Sequence, residues 1–217
     1  MCCKKCSDLV IFVSFVIKTA CKYSKINVFC IFISLSNSAF SLSKFNFRYQ
    51  MKQITVFEHI NEVKNPYYIN VEHALQRIKN GKSKVSVEKI RKEKDAAKRS
   101  KLKNNLPCIC YSGKFRQRKK SEIIEHTGFV CLDFDKVENV EVKKAELAAD
   151  KYVFSCWVSP SGNGVKALIK IPSDIEKHEM YFDSLKTQYP DIDPSGRDVG
   201  RVCFESYDPL IYINQTS

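Results

Sequence analysis

The sequence predicts an α+β sheet domain over residues 51–217, preceded by an apolar and basic extension over residues 1–50. Three observations lead there. Strand signals and helix signals interleave from residue 51 onward. An apolar run at 127–136 (TGFVCLDFDK) ends in two carboxylates one residue apart. Two strand-like runs, 153–159 and 165–171, are separated by Pro160-Ser161-Gly162-Asn163-Gly164, five turn formers that read as a hairpin loop. With 217 residues, 44% of them hydrophobic, the chain has material for one sizeable core.

Residues 1–50 are dominated by Lys, Phe, Ser, Ile and Cys. Apolar runs at 9–17 and 26–35 are split by Lys18, Lys22 and Lys25, and each falls short of the roughly 18–20 residues of a spanning helix. A basic start before an apolar run allows membrane association, whereas the change in character at Met51 favours an upstream extension of the gene model. Cys3 and Cys6 have C-x-x-C spacing, but no second pair follows to complete a zinc site. The ten cysteines are expected as free thiols in a reducing cytoplasm, since the chain builds its own core. Cys108 and Cys110 then act as small buried hydrophobes.

From residue 54 to 57 a short strand is expected. Asn70 is placed to cap a helix whose Val71, Ala74, Leu75 and Ile78 recur at helical spacing until Asn80-Gly81 stops it. Residues 86–103 read as one highly charged helix with a thin stripe of Val87, Ile90, Ala97 and Leu102. A strand at 106–111, a turn at Ser112-Gly113 and a basic loop or helix start at 114–120 follow. Residues 129–134 carry the β-branched and aromatic content of a strand, apolar on both faces as in the middle of a covered sheet. Residues 140–150 suit a surface helix. Ser173 with Glu176 forms a capping-box pattern before a helix marked by Ile175, Phe182, Leu185 and Tyr189. Residues 191–198 form a polar loop, and 201–207 a last strand.

The formal charge is +12, and it is concentrated. Residues 79–120 hold sixteen Lys and Arg against Glu88, Glu93 and Asp95. Such a stretch is either a solvated helix face or a site for a polyanion, of which nucleic acid is the commonest. Lys114, Arg116, Arg118, Lys119 and Lys120 are its candidate contacts.

Asp133 and Asp135 share one face of their strand about 6.5–7 Å apart, so both can reach one divalent cation or a close pair. The hairpin Ser159-Pro-Ser-Gly-Asn-Gly-Val-Lys166 offers backbone amides at Ser161, Gly162 and Gly164 and the ammonium of Lys166, a combination suited to phosphate oxygens, although a plain turn looks the same. A nucleotide P-loop is set aside, because Lys166 follows no Gly and leads into a strand. Asp193, with Arg197, Asp198 and Arg201 around it, supplies a third carboxylate and cations that would neutralise a triphosphate.

Four blocks together, LPCICYSGKF from Leu106, GFVCLDFD from Gly128, SPSGNGVK from Ser159 and DPSGRDVGRVCFESYDP from Asp193, resemble the N-terminal primase-like domain of virulence-associated protein E type mobile-element proteins. That domain is similar in motif order to the archaeo-eukaryotic primase superfamily. The resemblance covers about residues 52–214. It implies a primase-polymerase core with an RNA-recognition-motif-like sheet flanked by helices, two Mg²⁺ or Mn²⁺ ions, nucleoside triphosphates as substrates, and single-stranded DNA or RNA as template. It makes Asp133, Asp135 and Asp193 the catalytic and metal-holding acids, and Ser159, Ser161, Gly162, Gly164, Lys166 and Arg201 the nucleotide contacts. Members of that family continue into a helicase-type ATPase, which implies such a partner. One departure stands out: Lys166 occupies the place of the usual His, and lysine offers phosphate binding without imidazole proton chemistry. A nucleic-acid-binding module of the same fold, without catalysis, is therefore the alternative.

Overall fold

The computed structural model describes residues 52–214; the expectations for residues 1–50, the Cys3/Cys6 spacing included, lie outside the described residues. Two four-stranded antiparallel sheets carry the domain. The first is built from β1 (Gln53–Phe57), β2 (Tyr67–Asn70), β3 (Cys108–Cys110) and the short β9 (Cys203–Phe204), in the order β2-β1-β3-β9. The second comprises β6 (Phe129–Phe134), β7 (Val153–Val158), β8 (Val165–Lys170) and β10 (Tyr212–Ile213), in the order β10-β7-β8-β6. Both β6 and β7 pair antiparallel with β8, so they run the same way and are joined by the crossover helix α4 (Val140–Ala149). The class is α+β, with five helices among the described residues.

Alternation along the strands explains the layers. Phe129 and Cys131 of β6 and Leu168 of β8 pack in a core with Ile54, Val56, Ile109 and Tyr111 of the first sheet and its neighbourhood, and with the apolar face of α1 (Val71–Asn80). Val130, Leu132 and Phe134 point the other way, onto Leu147 of α4 and Phe182 of α5 (His178–Gln188). Strand β6 is thus covered on both faces, as its apolar run indicated. It nevertheless lies at the edge of its sheet rather than in the middle.

Several local expectations hold. Asn70 accepts a hydrogen bond from the His73 amide at 2.7 Å, and Gly81 closes α1 with its amide on the Arg77 carbonyl. Others are corrected. The charged stretch forms two helices, α2 (Lys84–Lys92) and α3 (Ala96–Lys103), because Glu93 turns extended and Asp95 caps the second helix through the Lys98 amide at 2.9 Å. The basic loop expected at 114–120 is the connection of a hairpin: β4 (Gly113–Phe115) pairs with β5 (Ile123–His126), and a 3₁₀ turn begins between them at Lys120. The capping box of Ser173 and Glu176 does not form. The Ser173 hydroxyl donates to the His126 carbonyl, Asp174 receives the Glu176 amide, and α5 begins only at His178. The strand expected at 201–207 is reduced to Cys203–Phe204, and it is not the last, since β10 follows it. All five described cysteines are free.

The segment after β9 is pinned by buried charge. Glu205 is 1% exposed and lies 2.7 Å from Nε of Arg77 on α1, while Ser83 donates to its second oxygen. Asp208 pairs with Lys144 of α4 at 2.6 Å and accepts the Val158 amide at 3.0 Å. These two carboxylates tie the final segment to α1 on one side and to α4 and β7 on the other. No helix among the described residues is long and apolar enough to cross a membrane.

Candidate active site at the end of the acidic strand

Asp133 is the penultimate residue of β6 and lies directly across from Lys166 of β8 in the register. Cross-strand partners share a face, and here they form an ion pair between Lys166 Nζ and Asp133 Oδ2. Lys166 is buried. Burial works against its ammonium, but Cys203 and Asp133 outweigh that and hold it above the ordinary lysine range. The other carboxylate oxygen, Asp133 Oδ1, is buried with no hydrogen-bond partner among the described residues. An unsatisfied buried anionic oxygen costs free energy, so this atom is a vacant acceptor for a cation or a proton donor. Asp135, two residues on, is exposed.

The third aspartate arrives from far along the chain. The Asp193 amide donates to the Asp133 carbonyl at 2.8 Å, which continues the edge of β6. A 3₁₀ turn, Pro194–Arg197, then packs on the strand. A Cβ on Gly196 would meet the Phe182 ring at 2.8 Å and the Cys131 carbonyl at 3.3 Å, so the absence of a side chain lets the turn approach. Asp193 Oδ1 accepts the Ser195 amide at 2.7 Å. Hydrogen bonding at Ser195 holds the carboxyl below its usual range, and the charges of Arg201 and Lys166 add to this. All three acids are therefore close in the chain's path. They do not form a ready cage, since the Asp193 carboxylate is turned to its own helical turn, and no group of three His, Cys, Asp or Glu among the described residues is arranged to hold a metal ion. The donor that does fit one is Asp133 Oδ1.

In the hairpin, the Ser159 amide donates to the Gly164 carbonyl at 2.8 Å and the Gly162 amide to the Ser159 carbonyl at 3.0 Å. Those two amides close the turn rather than face a ligand. Arg91 of α2 clamps it from outside, donating to the carbonyls of Ser159 and Tyr207 at 3.1 and 2.9 Å. Ser161 is part-exposed. Gly164 lies so close to β6 that a Cβ there would stand 2.6 Å from the Phe134 carbonyl. Gly164→Ala is accordingly expected to destabilise the domain by about 1–3 kcal/mol through overpacking. Urea unfolding checks this, and an unchanged midpoint would refute it.

The candidate nucleic-acid contacts divide. Arg116 and Lys119 are exposed. Lys114 is held by Gln53 Oε1 at 2.7 Å and lies over the Tyr68 ring; Lys120 is paired with Glu179; Arg118 is part-buried. His126 and His178 are buried against each other at 3.0 Å, and burial together with His178 pulls His126 down to about 4. Sequence reasoning passed over one cation. Lys103, the last residue of α3, lies over the Phe204 ring at 5.7 Å and feels the charges of Lys166, Asp135 and Asp133. As one lysine among many in a basic stretch, it carried no distinguishing signal.

Comparison with known proteins adds one finding. The family model described as BT4734-like, N-terminal domain matches residues 101–213, just over half of the chain and all of the elements that build this site apart from the hairpin clamp Arg91. No curated protein and no solved structure matches the chain.

Proposed function

The chain belongs to the BT4734-like N-terminal domain family; from the four sequence blocks and the site we propose a primase-polymerase-like nucleotidyltransferase domain of a mobile or phage-derived element. The observation that carries this reading is the vacant Asp133 Oδ1, buried at the end of β6 with Asp193 hydrogen-bonded alongside and Asp135 exposed two residues away. The order β7-β8-β6 with the α4 crossover supports an RNA-recognition-motif-like sheet as the platform.

In this reading Asp133 and Asp135 hold Mg²⁺ or Mn²⁺, with Asp193 as the third acid. Bound divalent cations would lower the pKa of an attacking 3′-hydroxyl and neutralise the pyrophosphate that leaves. The chain's residues do the positioning. Lys166 pairs with Asp133 and fixes its rotamer, and Arg201 brings positive charge beside Asp193. Arg116, Lys119 and the basic helices α2 and α3 offer a single-stranded DNA or RNA template backbone contacts that do not depend on its sequence. A separate helicase-type ATPase would deliver that strand.

A second reading has its own support: Lys166 already supplies Asp133 Oδ2 with a countercharge, as suits a nucleic-acid-binding module without catalysis. Nucleotide incorporation on single-stranded DNA in Mn²⁺ separates the two. The wild type is expected to extend, and Asp135→Ala to lose at least about a hundredfold. A wild type that binds the strand and incorporates nothing establishes the binding module.

A further inference from the structure

We infer that Cys131 and Cys203 form a redox-sensitive dithiol, which hydrogen peroxide closes to a disulfide and thiol reductants reopen. The inference stands apart from the nucleotidyltransferase reading, since it rests on the placement of the two sulfurs. Cys131 is the third residue of β6, on the face that carries Asp133. Cys203 opens β9 and is the register partner of Ile109 of β3 in the other sheet. Both side chains enter the core shared by the two sheets, and their Sγ atoms lie 3.2 Å apart. Closing to a disulfide shortens that distance by only about 1.2 Å. The bond would fix the acidic strand to β9 at a point two residues before Asp133.

The other described cysteines are placed differently. Cys108, Cys110 and Cys156 are buried, and their thiols donate to the carbonyls of Leu106 at 3.6 Å, Val199 at 3.4 Å and Lys144 at 3.5 Å. Burial pushes the Cys108 and Cys156 thiols up to about 12, which keeps them protonated and inert toward oxidants. Cys131, by contrast, is part-exposed, so a molecule as small as peroxide can reach the pair, while Cys203 behind it is 6% exposed. In the first step one thiol loses its proton to water and the thiolate attacks a peroxide oxygen. The S–O bond forms as the O–O bond breaks, and the departing hydroxide takes up a proton to become water. The second sulfur, deprotonated in turn, attacks the sulfenic sulfur; the S–S bond forms as the S–O bond breaks, and a second water leaves. Two thiols give up two electrons and two protons, and one peroxide is reduced to two waters.

The test treats the folded full chain with hydrogen peroxide, blocks remaining thiols with iodoacetamide, digests with trypsin in the absence of reductant and maps the peptides by mass spectrometry. Trypsin suits the purpose, because the peptides 121–136 and 202–217 each contain a single cysteine, Cys131 and Cys203 respectively. The linked pair of these two peptides is expected in about tenfold or greater excess over any other link among the described residues. Dithiothreitol should return both as free thiols, and unfolding in urea before the peroxide should abolish the preference. Cys156→Ser is expected to leave the link in place. If the folded wild type returns Cys131 blocked as a thiol, or as a sulfinic acid beside an unreacted Cys203, the inference is overturned. Linkage of Cys131 to Cys156 as readily as to Cys203 overturns it equally.

Discussion

Asp133→Ala is expected to lose about 3–5 kcal/mol of stability, because it strands the Lys166 ammonium in a buried position without its counter-ion. Lys166 is 6% exposed, and its strand is held on both sides, by β6 and by β7. The comparison that isolates this cause is the double variant Asp133→Ala/Lys166→Met, which removes both charges and is expected to regain most of the loss. Asp135→Ala should stay within about 0.5 kcal/mol of wild type, since that carboxylate is exposed. Urea midpoints for the four proteins decide the matter. A double variant no more stable than Asp133→Ala would show that the pair is not what Asp133 contributes. The practical corollary is that activity lost in Asp133→Ala is ambiguous, whereas activity lost in Asp135→Ala reports on chemistry.

Glu205→Ala is expected to be as costly, about 3–5 kcal/mol, with Tm lowered by roughly 6–20 °C in a domain of this size. The carboxylate is buried, and it joins Arg77 of α1 and Ser83 before α2 to the segment leaving β9. Removing it leaves Arg77 part-buried with only the Tyr67 hydroxyl, 2.8 Å from Nη1. Glu205→Gln, which keeps shape and an acceptor, should cost distinctly less. Thermal unfolding followed by circular dichroism measures both, and equal Tm values for Glu205→Ala and wild type would remove the anchoring role assigned here.

Much of the architecture was legible because it depends on local pattern. The run FVCLDF has the β-branched and aromatic content and the length of β6, the turn-rich PSGNG separates β7 from β8, and Asn70 and Gly81 bracket α1. What escaped was set by contacts distant in sequence. Residues 114–120 look like a basic loop or helix start, yet Thr55 receives the Phe115 amide at 2.8 Å and Tyr68 donates to the Phe115 carbonyl at 2.9 Å, and these fix a hairpin on the first sheet. The break between α2 and α3 had a signal in Asp95, an N-cap type followed by Ala96 and Ala97, but the surrounding lysines masked it. At the site, the D-x-D pair and Lys166 were singled out as candidates, and the structure makes Asp133 and Lys166 register partners. That the lysine binds the aspartate rather than a ligand follows from its burial, which no pattern of residue types encodes.

The amide of Asp193 meets the carbonyl of Asp133 across some sixty intervening residues, and this has a consequence for how the domain comes into being. Closing so long a loop carries an entropic penalty that local hairpins and helices do not face. The α4 crossover and the β7-β8 hairpin can therefore assemble first, as a scaffold with the acidic strand present and its partner acid still absent. The Asp193–Asp133 contact is then a late event in folding, and a nascent chain that has emerged only as far as β8 carries Asp133 and Asp135 without Asp193.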